Sequence, residues 1–516
     1  MSLWIVGRVA FFGVKGLSKI QASTGARFPW LLLTVQSLLV LVVNGYHLGV
    51  EDAEIYLPAA KRLRDARLYP YASEFFLAHG HLSLFSPLLA LSSWMTHLSM
   101  DWTVLLWYLV TLFGTVSGCW ALAAACFTSD TARWTAVFVA SSVLAMPATN
   151  TGLLLFDPYL TARSFSTPLA LIALSCFLKR RFAFALILTL LTASFHPQMV
   201  LYLVFLFAVI FAAERVKPAV AEPVPVMASV GVLPGGFHFA PATGPYREAL
   251  YSRDYFFAYN WEWFHWVGVF APLGILAWFW YRPFRGTTPA FRRVCLALIP
   301  FGLVSVVVAM VLASSTSFDM FERLQPMRTF HLITLIFMLL LGGFLGEYLV
   351  RGRAWVGAVL LVAISAGMFT VARQTYPNST QIELPGMKSP NPWVSTLLWI
   401  RGNVPSDAVF AVDAGYLKDD ITDTHGFRAI SERSSLADTY KDSGVVSLFP
   451  DLADEWKRMS TATTGVNHFT QADFARLRGQ YPQVSWTVIH GKAPGGLSCP
   501  YAQQGFVVCQ MPIAWN

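Results

Sequence analysis

Four carboxylates stand where apolar runs of this chain give way to polar turns. Glu51, Asp52 and Glu54 lie in Gly49-Val50-Glu51-Asp52-Ala53-Glu54-Ile55-Tyr56, and Asp157 lies in Phe156-Asp157-Pro158-Tyr159. A carboxylate so placed can take the proton from an attacking hydroxyl. Arg163, Arg247, Arg323 and Arg328 occur at or near similar turns. A guanidinium grips phosphate oxygens through paired, charge-assisted hydrogen bonds. His196, in His196-Pro197-Gln198, adds a further polar group, as do Glu322 and Gln325 beside Arg323 and Arg328. Together these residue types suit a reaction on a phosphate-bearing donor. Each also has a plainer reading. Asp157 could cap a helix starting near Thr161. His196 could be a helix-end residue bonded to backbone. Arg323 and Arg328 could anchor a span at the interface, and the acidic cluster could be a solvated loop.

The elements that must position these groups are membrane helices. Of 516 residues 55% are hydrophobic and only 13% are charged, against about 25% in soluble domains. The 18 Trp and 40 Phe suit aromatic belts at two membrane interfaces. Apolar segments run near 28–46, 82–98, 102–127, 134–150, 164–178, 182–196, 198–213, 218–236, 263–281, 294–314, 329–350 and 354–372. Residues 1–27 are basic and amphipathic without an acid, and read as a cytoplasmic helix before the first span.

Twelve crossings would put Lys179-Arg180-Arg181 and Arg351-Gly352-Arg353 outside, against the preference of basic loops for the cytoplasm. Segment 82–98 holds Pro87 and His97 and is short for a hydrocarbon core of about 30 Å. Reading it as a helix on the outer interface leaves an α-helical polytopic bundle of about 11 transmembrane helices. Arg133, Lys179–Arg181, Arg215 and Lys217, Arg282–Arg293, and Arg351 with Arg353 then all face the cytoplasm. The net charge of +8 therefore reads as orientation, not as a nucleic-acid surface. The carboxylates collect on the outer face, the first outer loop being 46–101. The predicted location is an inner (plasma) membrane.

Beyond Arg373 the composition turns polar. Ser395–Arg401 predicts a helix, and Ala408–Val412, Val484–Ile489 and Phe506–Cys509 predict strands. Residues 374–516 thus read as a small extracytoplasmic α/β domain. Cys499 and Cys509 flank a hairpin-like turn there, and an oxidising compartment would let them pair. Cys119, Cys126, Cys176 and Cys295 lie in spans and read as packing residues.

This order of parts resembles the GT-C superfamily of membrane glycosyltransferases, which includes protein O-mannosyltransferases, aminoarabinose transferases and oligosaccharyltransferases. Asp52 with Tyr56 four residues on looks like the family's first-loop Asp-Glu-x-x-Tyr motif, and Leu155-Phe156-Asp157-Pro158 looks like its second-loop Asp motif. The resemblance covers residues 28–213 and extends weakly into the later spans. The chain departs from the family at Ala53, where Glu is usual, and has no strict Asp-x-Asp triplet.

The resemblance implies inverting transfer of a sugar from a polyprenyl-phosphate donor to a glycan, lipid or protein acceptor. Asp52 would be the base, with Glu51 and Glu54 beside it and Asp157 in support. Arg323 and Arg328 would hold the donor phosphate, with Tyr56, Arg163, His196, Arg247, Glu322 and Gln325 as further binding residues. Some relatives use a divalent metal. Mg²⁺ or Mn²⁺ on Asp52 and Glu54 is left open. Two other readings also stay open. One is a transporter with helices broken at Pro147, Pro168 and Pro197. The other is a non-catalytic protein of surface-polysaccharide assembly on the same scaffold.

Overall fold

The structure, a computed structural model, describes residues 29–215 and 241–512. The amphipathic stretch 1–27 and the apolar segment 218–236 lie outside the described residues.

The first part of the chain is helical. Its elements are α1 (Trp30–Asn44), α2 (Ala53–Arg64), α3 (Glu74–Gly80), α4 (Phe85–Thr96), α5 (Met100–Cys126), α6 (Asp130–Ser142), α7 (Ala162–Leu178), α8 (Phe182–Phe195), α9 (Pro197–Arg215), α10 (Gly244–Tyr251), α11 (Trp263–Tyr281), α12 (Pro289–Leu312), α13 (Thr329–Leu345) and α14 (Ala354–Thr375). Hydroxyl side chains start several of them. Ser99 accepts from the Trp102 N–H, Ser129 from Ala132, and Thr288 from Phe291. Thr161 and Ser164 form a reciprocal capping pair at α7.

Among the described residues six helical segments are long and apolar enough to cross a membrane: α5, α9, α11, α12, the segment Thr316–Val350 that contains α13, and α14. α1, α7 and α8 are apolar but shorter. α3 and α4 meet at 92°. The 12 residues of α4 reach about 18 Å, too short to cross alone, and α4 exposes Leu91, Trp94 and Met95. Close approach of α13 to α6 depends on glycine. A Cβ at Gly342 would stand 2.8 Å from the Ala136 Cα, and one at Gly346 would stand 2.8 Å from the Ala132 Cα.

The second part is a mixed α/β domain. Its helices are α15 (Pro392–Asn403), α16 (Phe427–Ser431), α17 (Lys441–Leu448), α18 (Ala453–Thr463) and α19 (Gln471–Gln480). Its strands are β1 (Val409–Ala411), β2 (Ser434–Ser435), β3 (Val484–His490), β4 (Ser498–Gln503) and β5 (Phe506–Gln510). They form one sheet in the order β2-β1-β3-β5-β4, with β1 parallel to both neighbours and β5 antiparallel to both of its own. A disulfide joins Cys499 to Cys509 across β4 and β5. The other four cysteines are free.

The two ends of the bundle differ. At one end, His47 N–H donates to Pro158 O, joining the turns after α1 and α6; Leu84 N–H donates to Ser194 O, joining the turn before α4 to the end of α8; and the Tyr202 hydroxyl donates to Leu324 O, joining α9 to the turn after α12. The α/β domain docks on this end. At the other end, Arg180 and Arg293 both reach Glu214, and Phe127 bridges Thr287. The acidic turns and several basic loops thus occupy opposite ends.

Candidate functional site

The acidic turn is shaped by both parts of the chain. Gly45 and Gly49 take φ of +83° and +82°, a region that glycine enters without penalty. Glu51 shares it at +52°, which is uncommon for a residue with a side chain. The turn is clamped by the α/β domain. Gly426 N–H donates to Gly49 O at 2.7 Å, Glu51 N–H donates to Thr424 O at 3.0 Å, and Val50 bridges His425.

That clamp brings a cation from far along the sequence. Lys441, the first residue of α17, places its Nζ 2.8 Å from Asp52 Oδ1 and 2.5 Å from Glu51 Oε2. The Lys441 side chain is 8% exposed, while Asp52 keeps 36% of its surface open. Asp52 is therefore the partly open member of the group. Burial alone would raise the Asp52 carboxyl, but Lys441, Arg163 and Arg328 outweigh it and hold it well below the usual carboxylate range. Burial would likewise lower the Lys441 ammonium, but Asp52 and Glu51 outweigh it and raise it above its ordinary value.

Asp157 and Arg163 complete this centre. Both are buried, with Arg163 Nη2 2.5 Å from Asp157 Oδ2. Asp157 does not cap α7, since Thr161 does. Burial raises the Asp157 carboxyl, and Arg163 only partly offsets this. Arg328 lies over the Tyr255 ring, 5.4 Å from its centroid. Both guanidinium groups keep a buried Nε with no partner among the described residues. A buried N–H without an acceptor is costly, which makes both candidate donors to a ligand oxygen. His79 packs edge-on against Tyr56 with ring centroids 5.0 Å apart. His196 accepts from the Met199 N–H at 3.3 Å, the helix-end role that its position before Pro197 suggests.

The structure thus groups the charged Glu51, Asp52, Asp157, Arg163 and Arg328, with Tyr56 and His196 within reach of their field. It adds Lys441, His79, Tyr159 and His331, none of which is among the sequence candidates. Nothing in the residues around Lys441 marks it, because 389 positions separate it from Asp52.

Other candidates are placed elsewhere. Glu54 is 1% exposed and its carboxylate is fully engaged. Oε1 accepts from Arg428 Nε (2.8 Å), Arg428 N–H (3.0 Å) and the Tyr416 hydroxyl (3.3 Å), and Oε2 from Ala429 N–H (2.9 Å). The structure thus places Glu54, expected beside the base or on a metal, in the contact between α2 and the α/β domain. Arg247, Glu322 and Arg323 belong to another cluster, while Gln325 stands beside Arg328, whose N–H donates to its O at 2.9 Å. Asp319 accepts from the Tyr251 hydroxyl and the Ala242 N–H. Arg247 stacks on Tyr251, Glu322 feels the Asp319 charge, Arg323 acts on Tyr246, and Gln325 O accepts from Tyr202.

Among the described residues no group of three or more His, Cys, Asp or Glu is placed to hold a metal ion. Lys441 contacts Glu51 and Asp52, and Glu54 is engaged with Arg428. No protein-family model matches the chain, and no curated protein matches it.

Proposed function

We propose that the protein is an inverting glycosyltransferase of GT-C type. It moves a sugar from a polyprenyl-phosphate donor to a hydroxyl of a glycan, lipid or protein on the outer face of the plasma membrane. In this reading the bundle crosses about eleven times, the N-terminus is cytoplasmic, and the α/β domain is extracytoplasmic. The observation that carries the reading is the grouping of charges around Asp52. A partly open carboxylate, Asp52, stands among Lys441, Arg163 and Arg328, and two buried guanidinium N–H groups there lack acceptors among the described residues.

The residues divide the work by their chemistry. Arg163 and Arg328 hold the donor phosphate, and Asp157 fixes the Arg163 plane. Asp52 takes the proton of the acceptor hydroxyl. The hydroxyl oxygen bonds to the anomeric carbon from the face opposite the phosphate. The bond from that carbon to the phosphate oxygen breaks, and polyprenyl phosphate leaves with the electron pair. The cations stabilise the charge that grows on the departing phosphate.

One observation favours a second reading, a non-catalytic assembly protein. Lys441 already neutralises the acidic pair, as it would in a purely structural site. The experiment that separates them is mass spectrometry of envelope glycans, lipids and glycoproteins from cells with and without the gene, and with Asp52→Asn in its place. The enzyme reading expects the same missing sugar in the deletion and in Asp52→Asn. A full glycan profile in Asp52→Asn cells favours the assembly reading.

A further inference from the structure

The contact between Lys441 and the acidic pair can be read as an obstacle to catalysis or as part of it. A base locked to an ammonium at 2.8 Å accepts a proton poorly. We propose that Lys441 is an exchangeable counter-ion. Without donor it neutralises Glu51 and Asp52, and an incoming polyprenyl-linked phosphate draws its ammonium away, so that donor binding uncovers the Asp52 carboxylate. This rests on the functional reading above and adds a coupling between the two halves of the site.

The chemistry of a lysine side chain suits such an exchange. Its ammonium is a point charge on a flexible four-carbon stem, able to change partners without a change of backbone. The backbone beneath it is fixed. Arg253 donates to Tyr440 O and to Ser443 Oγ (2.8 Å), which pins the start of α17. The Tyr440 ring lies 4.9 Å from Lys441 Nζ, a cation–π support near the ammonium. Arg163, by contrast, is tied to Asp157, and Arg328 lies on Tyr255. Two guanidinium groups and one ammonium on a flexible stem therefore act on the same carboxylate, Asp52.

Charge balance points the same way. Glu51, Asp52 and Asp157 carry three negative charges, and Lys441, Arg163 and Arg328 carry three positive ones. The donor-free centre is neutral. A bound phosphodiester leaves it one charge negative, and a proton on Asp52 restores neutrality. Donor binding thus makes Asp52 a better base at the moment a base is needed, and limits proton uptake before then.

The test is a thermodynamic cycle on binding, not on transfer. A polyprenyl monophosphate is titrated into nanodiscs holding wild type, Lys441→Met, Asp52→Asn and the double variant, with Lys441→Arg as a folding and charge control. Loss of one charge-assisted contact predicts binding about 10- to 100-fold weaker in Lys441→Met, with Lys441→Arg nearer to wild type. Asp52→Asn removes one of the two carboxylates that compete for Lys441, leaving Glu51, and predicts tighter binding, and that gain disappears in the Lys441→Met background. Unchanged binding in Lys441→Met, or a gain from Asp52→Asn that persists without Lys441, overturns the exchange and leaves the functional reading standing. Absence of polyprenyl phosphate binding in wild type overturns both.

Discussion

Glu54→Ala tests the separation of docking from chemistry. In wild type the Glu54 carboxylate accepts four hydrogen bonds, three of them from Arg428 and Ala429. A Cβ at Gly426 would stand 2.2 Å from Glu54 Oε2, so the cradle is tight around the carboxylate. Removing one partner of a buried ion pair costs about 3–5 kcal/mol. Arg428 keeps Asp442 at 2.7 Å and Asp438 at 3.4 Å, which puts the cost near the lower end, about 3 kcal/mol. If local opening of this contact governs exchange, the amides of Arg428 and Ala429 should exchange about 150-fold faster in the variant. The assay is hydrogen–deuterium exchange of the full chain in nanodiscs, with peptides spanning 424–431 followed against the β3–β5 strands as an internal reference. Glu54→Gln, which keeps an acceptor oxygen, should show a smaller increase. Wild-type protection at 428 and 429 in Glu54→Ala would refute the docking role. Metal-dependent binding lost in Glu54→Gln at wild-type protection would return Glu54 to the site.

Three further outcomes follow from the geometry. Arg328→Ala should lower kcat/KM about 10- to 100-fold, mainly through KM, because a phosphate contact present in ground and transition states is lost; a loss confined to kcat would contradict it. Glu383 accepts from His425 at 2.9 Å where the last apolar helix joins the α/β domain. Burial would raise its carboxyl, but His425 and His47 outweigh it and hold it at about 2. Burial would lower His425, but Glu383 outweighs it and raises it. The Glu383 share of stability is present above about pH 4.5 and lost as pH falls toward 2. The His425 share is full below about pH 6.5 and lost as pH rises through its raised value. Glu383→Gln should therefore lower Tm most between those two values, with the gap narrowing on both sides; a gap constant across pH would contradict the pairing. Cys499→Ser with Cys509→Ser opens a bridge of sequence separation 10 and should cost the α/β domain about 2–4 kcal/mol, read as earlier domain unfolding; an unchanged domain transition would contradict it.

Much of the frame was legible because apolar runs and turn residues are local signals. The strands at Val409–Ala411, Val484–His490 and Phe506–Gln510 fall where β-branched and aromatic residues cluster. β2 is two serines that form a strand only by pairing with β1, and β4 contains Pro500 and lies at the sheet edge, so neither carries a strand signal. The apolar run 134–150 predicts one continuous span, yet the helix ends at Ser142 and the chain turns back so that Pro147 bridges Leu154. At the site, Asp52, Asp157, Arg163 and Arg328 were legible as charged residues beside apolar segments. The engagement of Glu54 was not legible because its partner, Arg428, lies 374 residues away, and Lys441 was missed for the same reason. Sequence pattern reports which residues are costly to bury. It does not report which distant residue makes that burial affordable.

The most direct test of the account is sugar transfer by purified protein in nanodiscs, supplied with the polyprenyl-phosphate-sugar pool of the native membrane and its acceptor fraction. Wild type and Asp52→Asn are compared at matched folding and matched donor binding. The account predicts label transferred by wild type, and a rate about 10²- to 10⁴-fold lower in Asp52→Asn, the usual contribution of a general base. Transfer at the wild-type rate by Asp52→Asn, or no transfer from any polyprenyl-phosphate-linked sugar by wild type, would contradict it.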